Sequence, residues 1–264
     1  MTATFAQKYG PWAVIAGGSE GVGVSFAEQL AAEGINLLLI ARNAAKLDAV
    51  AAVIRVQHSV QVRTAAIDLT ADDMVEQVAA VSDDLDVGFL LYNAGAASGP
   101  KLVIDQSPQD IMHLIRLNTI GQTMLARHFG KAMAARGRGG IVLVGSGGAN
   151  AGCYQLAVYS AVKAYTMTFA EGLWAELQPS GVDVAALMIG RTRTPALERS
   201  LYGQDSDVAA AEPDDIARFA LANLANGPVL VPPELQASFL ALRAMPRRQA
   251  VEAMTRALSS QTSK

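Results

Sequence analysis

Tyr159 and Lys163, in the run Tyr159-Ser160-Ala161-Val162-Lys163, have types and a spacing that suit proton transfer. Positions i and i+4 of an α-helix project from one face, so a helix here sets an ammonium beside a phenol. A free tyrosine titrates near ~10 and is a poor acid or base at neutral pH. A neighbouring cation favours the phenolate and lowers that value. Such pairs also share helix faces by chance, and the pair taken alone supports no functional conclusion. Three other stretches change its weight.

The first is the apolar run Trp12-Ala13-Val14-Ile15-Ala16, suited to a buried strand, which ends in Gly17-Gly18-Ser19-Glu20-Gly21-Val22-Gly23. Helix-like sequence follows from Ser25 to Glu33. Strand, glycine-rich turn and helix form the setting for phosphate binding. Gly17 allows the tight turn, Gly21 lets backbone approach a pyrophosphate, and Gly23 lets helix and strand pack closely. The helix start then offers its N–H groups to the anion. The spacing is GxxxGxG rather than GxGxxG. The second stretch, Gly140 to Val144, reads as a strand ended by Gly145-Ser146-Gly147-Gly148. Ser146 therefore stands at a strand's C-terminal end, where open parallel sheets gather ligands. A Gly-Ser-Gly turn without catalysis is equally common in isolation. In the third, Ile111, Leu114, Ile115, Asn118, Gly121 and Leu125 follow one helical stripe, so Asn118 falls on an apolar face. A buried amide needs hydrogen bonds. Either neighbouring backbone satisfies it, or it forms a polar relay through a helix irregularity and a water.

The elements that position these residues alternate along the chain. Asn36 to Ala41 reads as a strand ending at Arg42, where a dinucleotide's adenosine ribose lies. An arginine there accommodates a 2′-phosphate, or simply opens the next helix, Ala44 to Gln57. Gln61 to Ile67 is a third strand, and Asp68-Leu69-Thr70 ends it and opens a helix. Asp68 serves as an N-terminal cap, approaches an adenine ring, or does both. Val87 to Tyr92 is a fourth strand, running into the small turn Asn93-Ala94-Gly95. A helix from about Tyr154 to Leu177 carries Tyr159 and Lys163 and stops at Pro179-Ser180-Gly181. Val182 to Ile189 and Val229 to Val231 are further strands, and Pro213 starts a helix with acids in its first turn. The irregular stretch 195–212 suits a lid. Residues 233–258 form a helical extension, with a frayed end after Ser259. Strands alternating with helices predict an α/β fold: a single-domain, doubly wound parallel sheet of about seven strands, helices on both faces.

Composition fits this reading. At 264 residues and 51% hydrophobic content the chain can bury a large core. A net charge of −3 with dispersed Lys and Arg gives no footprint for nucleic acid. Cys153 is the only cysteine, and His58, His113 and His128 are scattered, so no metal-ligand spacing occurs. No apolar run approaches the ~20 residues that span a membrane, and the first residues lack a signal-peptide layout, so a soluble, cytoplasmic protein is expected.

With Gly17/Gly21/Gly23, Asn93-Ala94-Gly95, Asn118, Ser146, Tyr159 and Lys163 in this order, the chain resembles the short-chain dehydrogenase/reductase family over roughly Trp12 to Val231, in particular its ketoacyl and hydroxysteroid reductase branch. The resemblance implies a Rossmann-like domain, a nicotinamide cofactor and four catalytic roles. Tyr159 exchanges the proton at the substrate oxygen, and Ser146 holds that oxygen. Lys163 lowers the tyrosine pKa and contacts the nicotinamide ribose, while Asn118 positions a water. The implied cofactor set is Gly17, Ser19, Glu20, Gly21, Val22, Gly23, Arg42, Asn43, Asp68, Leu69, Asn93, Ala94, Gly95, Tyr159, Lys163, Ile189, Gly190, Thr192 and Thr194. NADP(H) is expected over NAD(H), from Arg42 and the absence of an acid at Ala41. Three positions depart from the family's habit: Tyr92 replaces an Asn before Asn93, Ile189-Gly190 replaces Pro-Gly, and Glu20 stands where NADP-preferring members often carry Lys or Arg.

Ser146, Gly148, Cys153, Tyr154, Tyr159, Leu197, Leu201 and Tyr202 are expected at the substrate. They lack a cation to clamp an acid, which points to a neutral, hydrophobic ketone or secondary alcohol. A homodimer or homotetramer is expected from the family's pairing through the helices bearing Asn118 and Tyr159. A dinucleotide-binding sensor or scaffold without turnover is the alternative from another class, but it would not need an activated phenol. An isomerase or dehydratase cycling a hydride internally fits less well, since relatives of that kind carry a larger C-terminal substrate domain.

Overall fold

Near-continuous apolar runs suit strands that are covered on both faces. The computed structural model describes residues 4–95, 99–200 and 210–262. Its strands are β1 (Trp12–Ala16), β2 (Asn36–Ala41), β3 (Val62–Ala66), β4 (Val87–Tyr92), β5 (Gly139–Ser146), β6 (Val182–Ile189) and β7 (Val229–Leu230). They form one parallel sheet in the order β3-β2-β1-β4-β5-β6-β7. The helices are α1 (Phe5–Tyr9), α2 (Val22–Ala32), α3 (Ala44–Gln57), α4 (Met74–Ser82), α5 (Pro108–Ile115), α6 (Gly121–Arg136), α7 (Ala157–Leu177), α8 (Pro195–Ser200), α9 (Pro213–Asn223), α10 (Pro233–Ala244) and α11 (Arg247–Thr262).

Because side chains alternate along a strand, each strand feeds two cores. Val14, Leu38, Leu90 and Ile141 pack with residues of α4, α6 and α7 on one face. Ile15, Leu39, Leu91 and Val142 pack with α2, α3 and α9 on the other. The chain runs outward from β1 to β2 and β3, then returns to β4 on the opposite side of β1. Connections therefore diverge at the C-terminal ends of β1 and β4 and leave a crevice there.

Local chemistry sets the element ends. Ser107 caps α5 by accepting from Asp110 N at 3.1 Å, with Pro108 in the first turn. Gly137, at φ +75°, ends α6 in the left-handed conformation. Between α5 and α6 the residues Arg116–Ile120 widen into a π-helical turn.

Several boundaries differ from the sequence expectations. Asp68 does not open a helix: its Oδ1 accepts from Thr70 N and Oγ1 at 2.9 and 2.8 Å, closing a short turn, and α4 starts only at Met74. A side chain that satisfies its own loop competes with helix formation. Helix α7 starts at Ala157 rather than Tyr154, after Gln155 adopts φ +62°. Helix α11 continues to Thr262, past Ser259. Helix α1 is unforeseen. A capping box between Thr4 and Gln7 starts it, and Tyr9 Oη donates to Asp183 Oδ2 at 2.6 Å, tying it to β6. Part of the 195–212 stretch is the helix α8, while 201–209, with Leu201 and Tyr202, lie outside the described residues.

Candidate active site

Strand β5 carries Ser146 to the rim of the crevice. Its Oγ accepts from Gly148 N at 3.1 Å, which leaves the hydroxyl proton for the Tyr159 oxygen, its hydrogen-bond partner across on α7. Lys163 lies one turn further along α7. Its side chain is buried, its Nζ donates to Val144 O at 3.2 Å and stands 5.9 Å from the Tyr159 ring centre. Burial brings the ammonium down to about 8. Asn118 comes from the π-helical turn, buried, with Nδ2 donating to Leu114 O at 3.0 Å. A Cβ added at Gly95 would stand 3.1 Å from both Asn118 Oδ1 and Lys163 Nζ, so these two atoms flank the backbone after β4. The four expected catalytic side chains thus meet at one place.

The electrostatics correct one expectation. Burial raises the Tyr159 phenol above its ordinary value, and the group that opposes the rise is Ser146 rather than Lys163. Tyr159 is therefore a neutral phenol at neutral pH.

The turn after β1 fits a dinucleotide. Gly17 and Gly21 hold φ of +90° and +57°. Gly17 N donates to Ile40 O at 2.8 Å, and Asn93 Nδ2 donates to Gly17 O at 3.0 Å. Asn93 N and Ala94 N both donate to Ala16 O, which fuses the two turns. A Cβ at Gly23 would stand 2.0 Å from Gly17 O, and one at Gly21 would stand 2.7 Å from Thr194 Cγ2. Side chains at these positions would fill the cradle. Helix α2 starts at Val22 with no side-chain cap, which leaves its N-terminus to an anion.

At the adenosine end Arg42 is exposed beside Asn43, whose Oδ1 caps α3 by accepting from Lys46 N at 3.0 Å. Asp68 is exposed, and its carboxyl is held below the usual value by its bonds to Thr70 and by the charges of Arg42 and His113, against a desolvation that raises it. Leu69 is core. Glu20 bonds Lys46 Nζ at 2.9 Å and both terminal nitrogens of Arg199, on α8. The Arg199 guanidinium is the main cause of the lowered Glu20 pKa. Thus the acid that departs from the family's habit draws two cations to the glycine-rich turn. Ile189 ends β6 opposite Ser146, and Thr192 Oγ1 donates to Gly190 O at 3.3 Å. Thr192 pairs with Ala211.

A cavity of about 150 Å³ opens against Tyr159. Gly148, Cys153, Leu156, Tyr159, Ser160, Met254 and Ala257 line it, none of them charged. Helix α11 is fixed over it by long-range bonds: Cys153 Sγ to Met254 O at 3.5 Å, Tyr154 N to Thr255 Oγ1 at 3.2 Å, and Arg247 Nη1 to Asn150 O at 2.9 Å.

The short chain dehydrogenase family profile matches residues 11–204. The chain belongs to that family. A very-long-chain 3-oxoacyl-CoA reductase of Podospora anserina is 35% identical over 181 residues, 67% of this chain and 53% of that protein. The chain thus spans about half the length of such reductases. A 7β-hydroxysteroid dehydrogenase of Collinsella aerofaciens is 32% identical over 198 residues, 75% of this chain and 74% of that one. Among solved structures, a 7β-hydroxysteroid dehydrogenase superposes with a TM-score of 0.88 at 27% identity, covering 96% of this chain and 99% of its own. A short-chain dehydrogenase from Sphingobium yanoikuyae in complex with NADPH gives 0.77 at 32% identity, over 90% and 97%. A bulky-bulky ketone specific alcohol dehydrogenase from Comamonas testosteroni gives 0.75 at 28%, over 91% and 96%.

In this short-chain dehydrogenase the substrate-side expectations divide. Gly148, Cys153 and Tyr159 line the cavity, with Ser146 bonded to two of them. Tyr154 is 56% exposed and outside the lining, contributing only its backbone bond to α11. Leu197 sits on α8, bonded through its N–H to Thr194 Oγ1, and does not line the cavity. Leu156, Ser160, Met254 and Ala257 were not expected. Leu156 was within reach, since the helix expected from Tyr154 would set it three residues before Tyr159 on the same side; it is the N-cap of α7 instead. No local pattern points to Met254 or Ala257.

Proposed function

We propose that this chain is an NADP(H)-dependent oxidoreductase interconverting neutral, apolar ketones and secondary alcohols. The observation that carries it is the Tyr159 hydroxyl, bonded to Ser146, at an uncharged cavity beside a dinucleotide cradle. The cofactor supplies the hydride when bound. Ser146 orients the substrate oxygen, and Tyr159 gives it a proton as the carbonyl becomes an alcohol. Lys163, one helix turn away, and Asn118, beside it at Gly95, carry the replacement proton toward Tyr159. Gly17, Gly21, Gly23 and the α2 N-terminus hold the pyrophosphate, and Asn93 to Gly95 with Ile189 to Thr194 line the nicotinamide end.

The NADP(H) preference rests on Arg42, with no acid at Ala41, and on the NADPH-bound relative. The bulky-ketone relative and the apolar lining support the substrate class. At about 150 Å³ the cavity is smaller than the ~300–1,000 Å³ that encloses a drug-sized ligand. It takes the reacting ring of a polycyclic ketone, not the whole molecule. Exposed Met112, Ile120 and Tyr165, on the helices bearing Asn118 and Tyr159, support a homodimer or homotetramer.

The test is kcat/KM with NADPH and NADH over acetone, acetophenone and 2-decalone, beside pyruvate and phenylglyoxylate. Rates rising with apolar size and favouring NADPH are expected. Preference for the keto acids overturns the substrate class. Tyr159→Phe should bind NADPH normally and lose ~10²–10⁴-fold in turnover; retained turnover overturns the mechanism.

A further inference from the structure

Tyr92 ends β4 where the family commonly has asparagine, and it is buried. Its Oη donates to Leu117 O at 2.7 Å. That carbonyl lies within the π-helical turn. Gly121 N reaches back five residues to Arg116 O, passing over Leu117 O, the acceptor an α-helix would have given it. The Tyr92 hydroxyl comes to that oxygen from the sheet. Leu117 C=O and Asn118 N–H belong to one planar peptide unit, so this bond fixes the plane from which Asn118 departs. The peptide on the other side is held too: Gln122 Nε2 donates to Asn118 O and to Thr166 Oγ1 on α7, the latter at 3.0 Å. Asn118 is thereby clamped between β4 and the helix bearing Tyr159 and Lys163. Space confirms the fit of ring to turn, because a Cβ at Gly121 would stand 2.3 Å from Tyr92 Oη.

We infer that Tyr92 is a positioning residue for catalysis, holding the π-helical turn so that Asn118 stays beside Lys163. The inference rests on the relay role given above to Asn118. Its test uses full-length protein with NADPH and 2-decalone, and compares wild type, Tyr92→Phe, Asn118→Ala and the double variant Tyr92→Phe/Gly121→Ser. Tyr92→Phe keeps the ring and removes only the bond. It should lower kcat at least about 10-fold, within the ~100-fold that a 1 Å misplacement costs, with ketone KM and NADPH Kd within about twofold of wild type. Amide exchange over 116–121 should quicken. A serine introduced at position 121 can bond the carbonyl four residues back, which is Leu117 O; losing the phenol oxygen removes the 2.3 Å contact and leaves the ring Cζ and Leu69 O each 3.2 Å from the new Cβ, so the ring must shift by a few tenths of an ångström. The double variant should therefore recover both turnover and slow exchange.

An unchanged kcat in Tyr92→Phe, with Asn118→Ala impaired, overturns the inference and leaves the relay standing. A fully active Asn118→Ala removes the relay and this inference with it. A folded double variant that stays slow also overturns it. If that variant does not fold, exchange in Tyr92→Phe alone decides, and unchanged exchange over 116–121 is the refuting result.

Discussion

The two ends of the crevice are built by different means. The glycine-rich end is closed largely by backbone: a Cβ at Gly17 would stand 2.7 Å from Ala94 N and one at Gly23 would stand 2.0 Å from Gly17 O, while one at Gly21 would meet the Thr194 side chain at 2.7 Å. The substrate end is made of side chains brought from about a hundred residues away, with Met254 and Ala257 of α11 facing Gly148 and Cys153. The glycine positions of the first end have little freedom to vary, because a Cβ at any of the three would meet a neighbour at 2.7 Å or less. The second can change shape by exchanging one side chain for another without disturbing the sheet. Under the proposed function, holding the cofactor and choosing the substrate fall to structures of unequal stiffness.

The difference can be broken or sharpened by experiment. The largest effect is expected at Gly23→Ala, whose new Cβ would stand 2.0 Å from Gly17 O. Backbone cannot swing aside, so NADPH affinity should fall at least about 100-fold and the protein should melt earlier. Fluorescence titration of NADPH that finds wild-type affinity would refute the stiff-cradle account. Next is Lys163→Met, which should abolish turnover yet raise Tm. A lysine lowered from 10.5 to about 8 by burial binds fewer protons folded than unfolded between those values. Stability therefore rises with pH from about 8 to about 10.5, and below about 8 the buried ammonium costs about 3 kcal/mol. The variant should gain several degrees at pH 7 and lose that pH dependence, as followed by calorimetry.

A smaller effect belongs to Met254→Ala. Enlarging the cavity should change KM for 2-decalone by about 10-fold and leave NADPH Kd alone, since one pocket side chain is worth about 1–3 kcal/mol. A shift in NADPH Kd would mean the two ends are not separable. Least is Glu20→Gln, where removing a half-exposed carboxylate held by Lys46 and Arg199 should favour NADPH over NADH by no more than a few-fold.

Much of this was legible in the sequence, for a physical reason. Tyr159 and Lys163 are joined by helix spacing, Ser146 by its strand end and Gly17 to Gly23 by turn chemistry, so short-range pattern sufficed. The apolar stripe placed Asn118 in the core, where both its readings find a counterpart: Nδ2 bonds the neighbouring backbone at Leu114 O, and the helix irregularity is the π-helical turn. What local pattern could not carry was tertiary. The Tyr159 phenol is raised because neighbours remote in sequence bury it, and burial outweighs the charge that spacing alone suggested. The lining by α11 depends on where a C-terminal helix lands. Asp68 misled because a cap and a turn use the same side-chain bond, and only the backbone beyond Thr70 tells them apart.

The seating of α11 has a consequence for how this protein could acquire new substrates. Three of the bonds that fix it over the cavity reach one short segment, Asn150 to Tyr154, between the serine strand and the tyrosine helix. Because these bonds converge on one segment, α11 can be exchanged as a unit. Replacing it by a foreign helix that keeps those bonds would transplant a new selectivity while the proton-transfer machinery beneath it stays untouched.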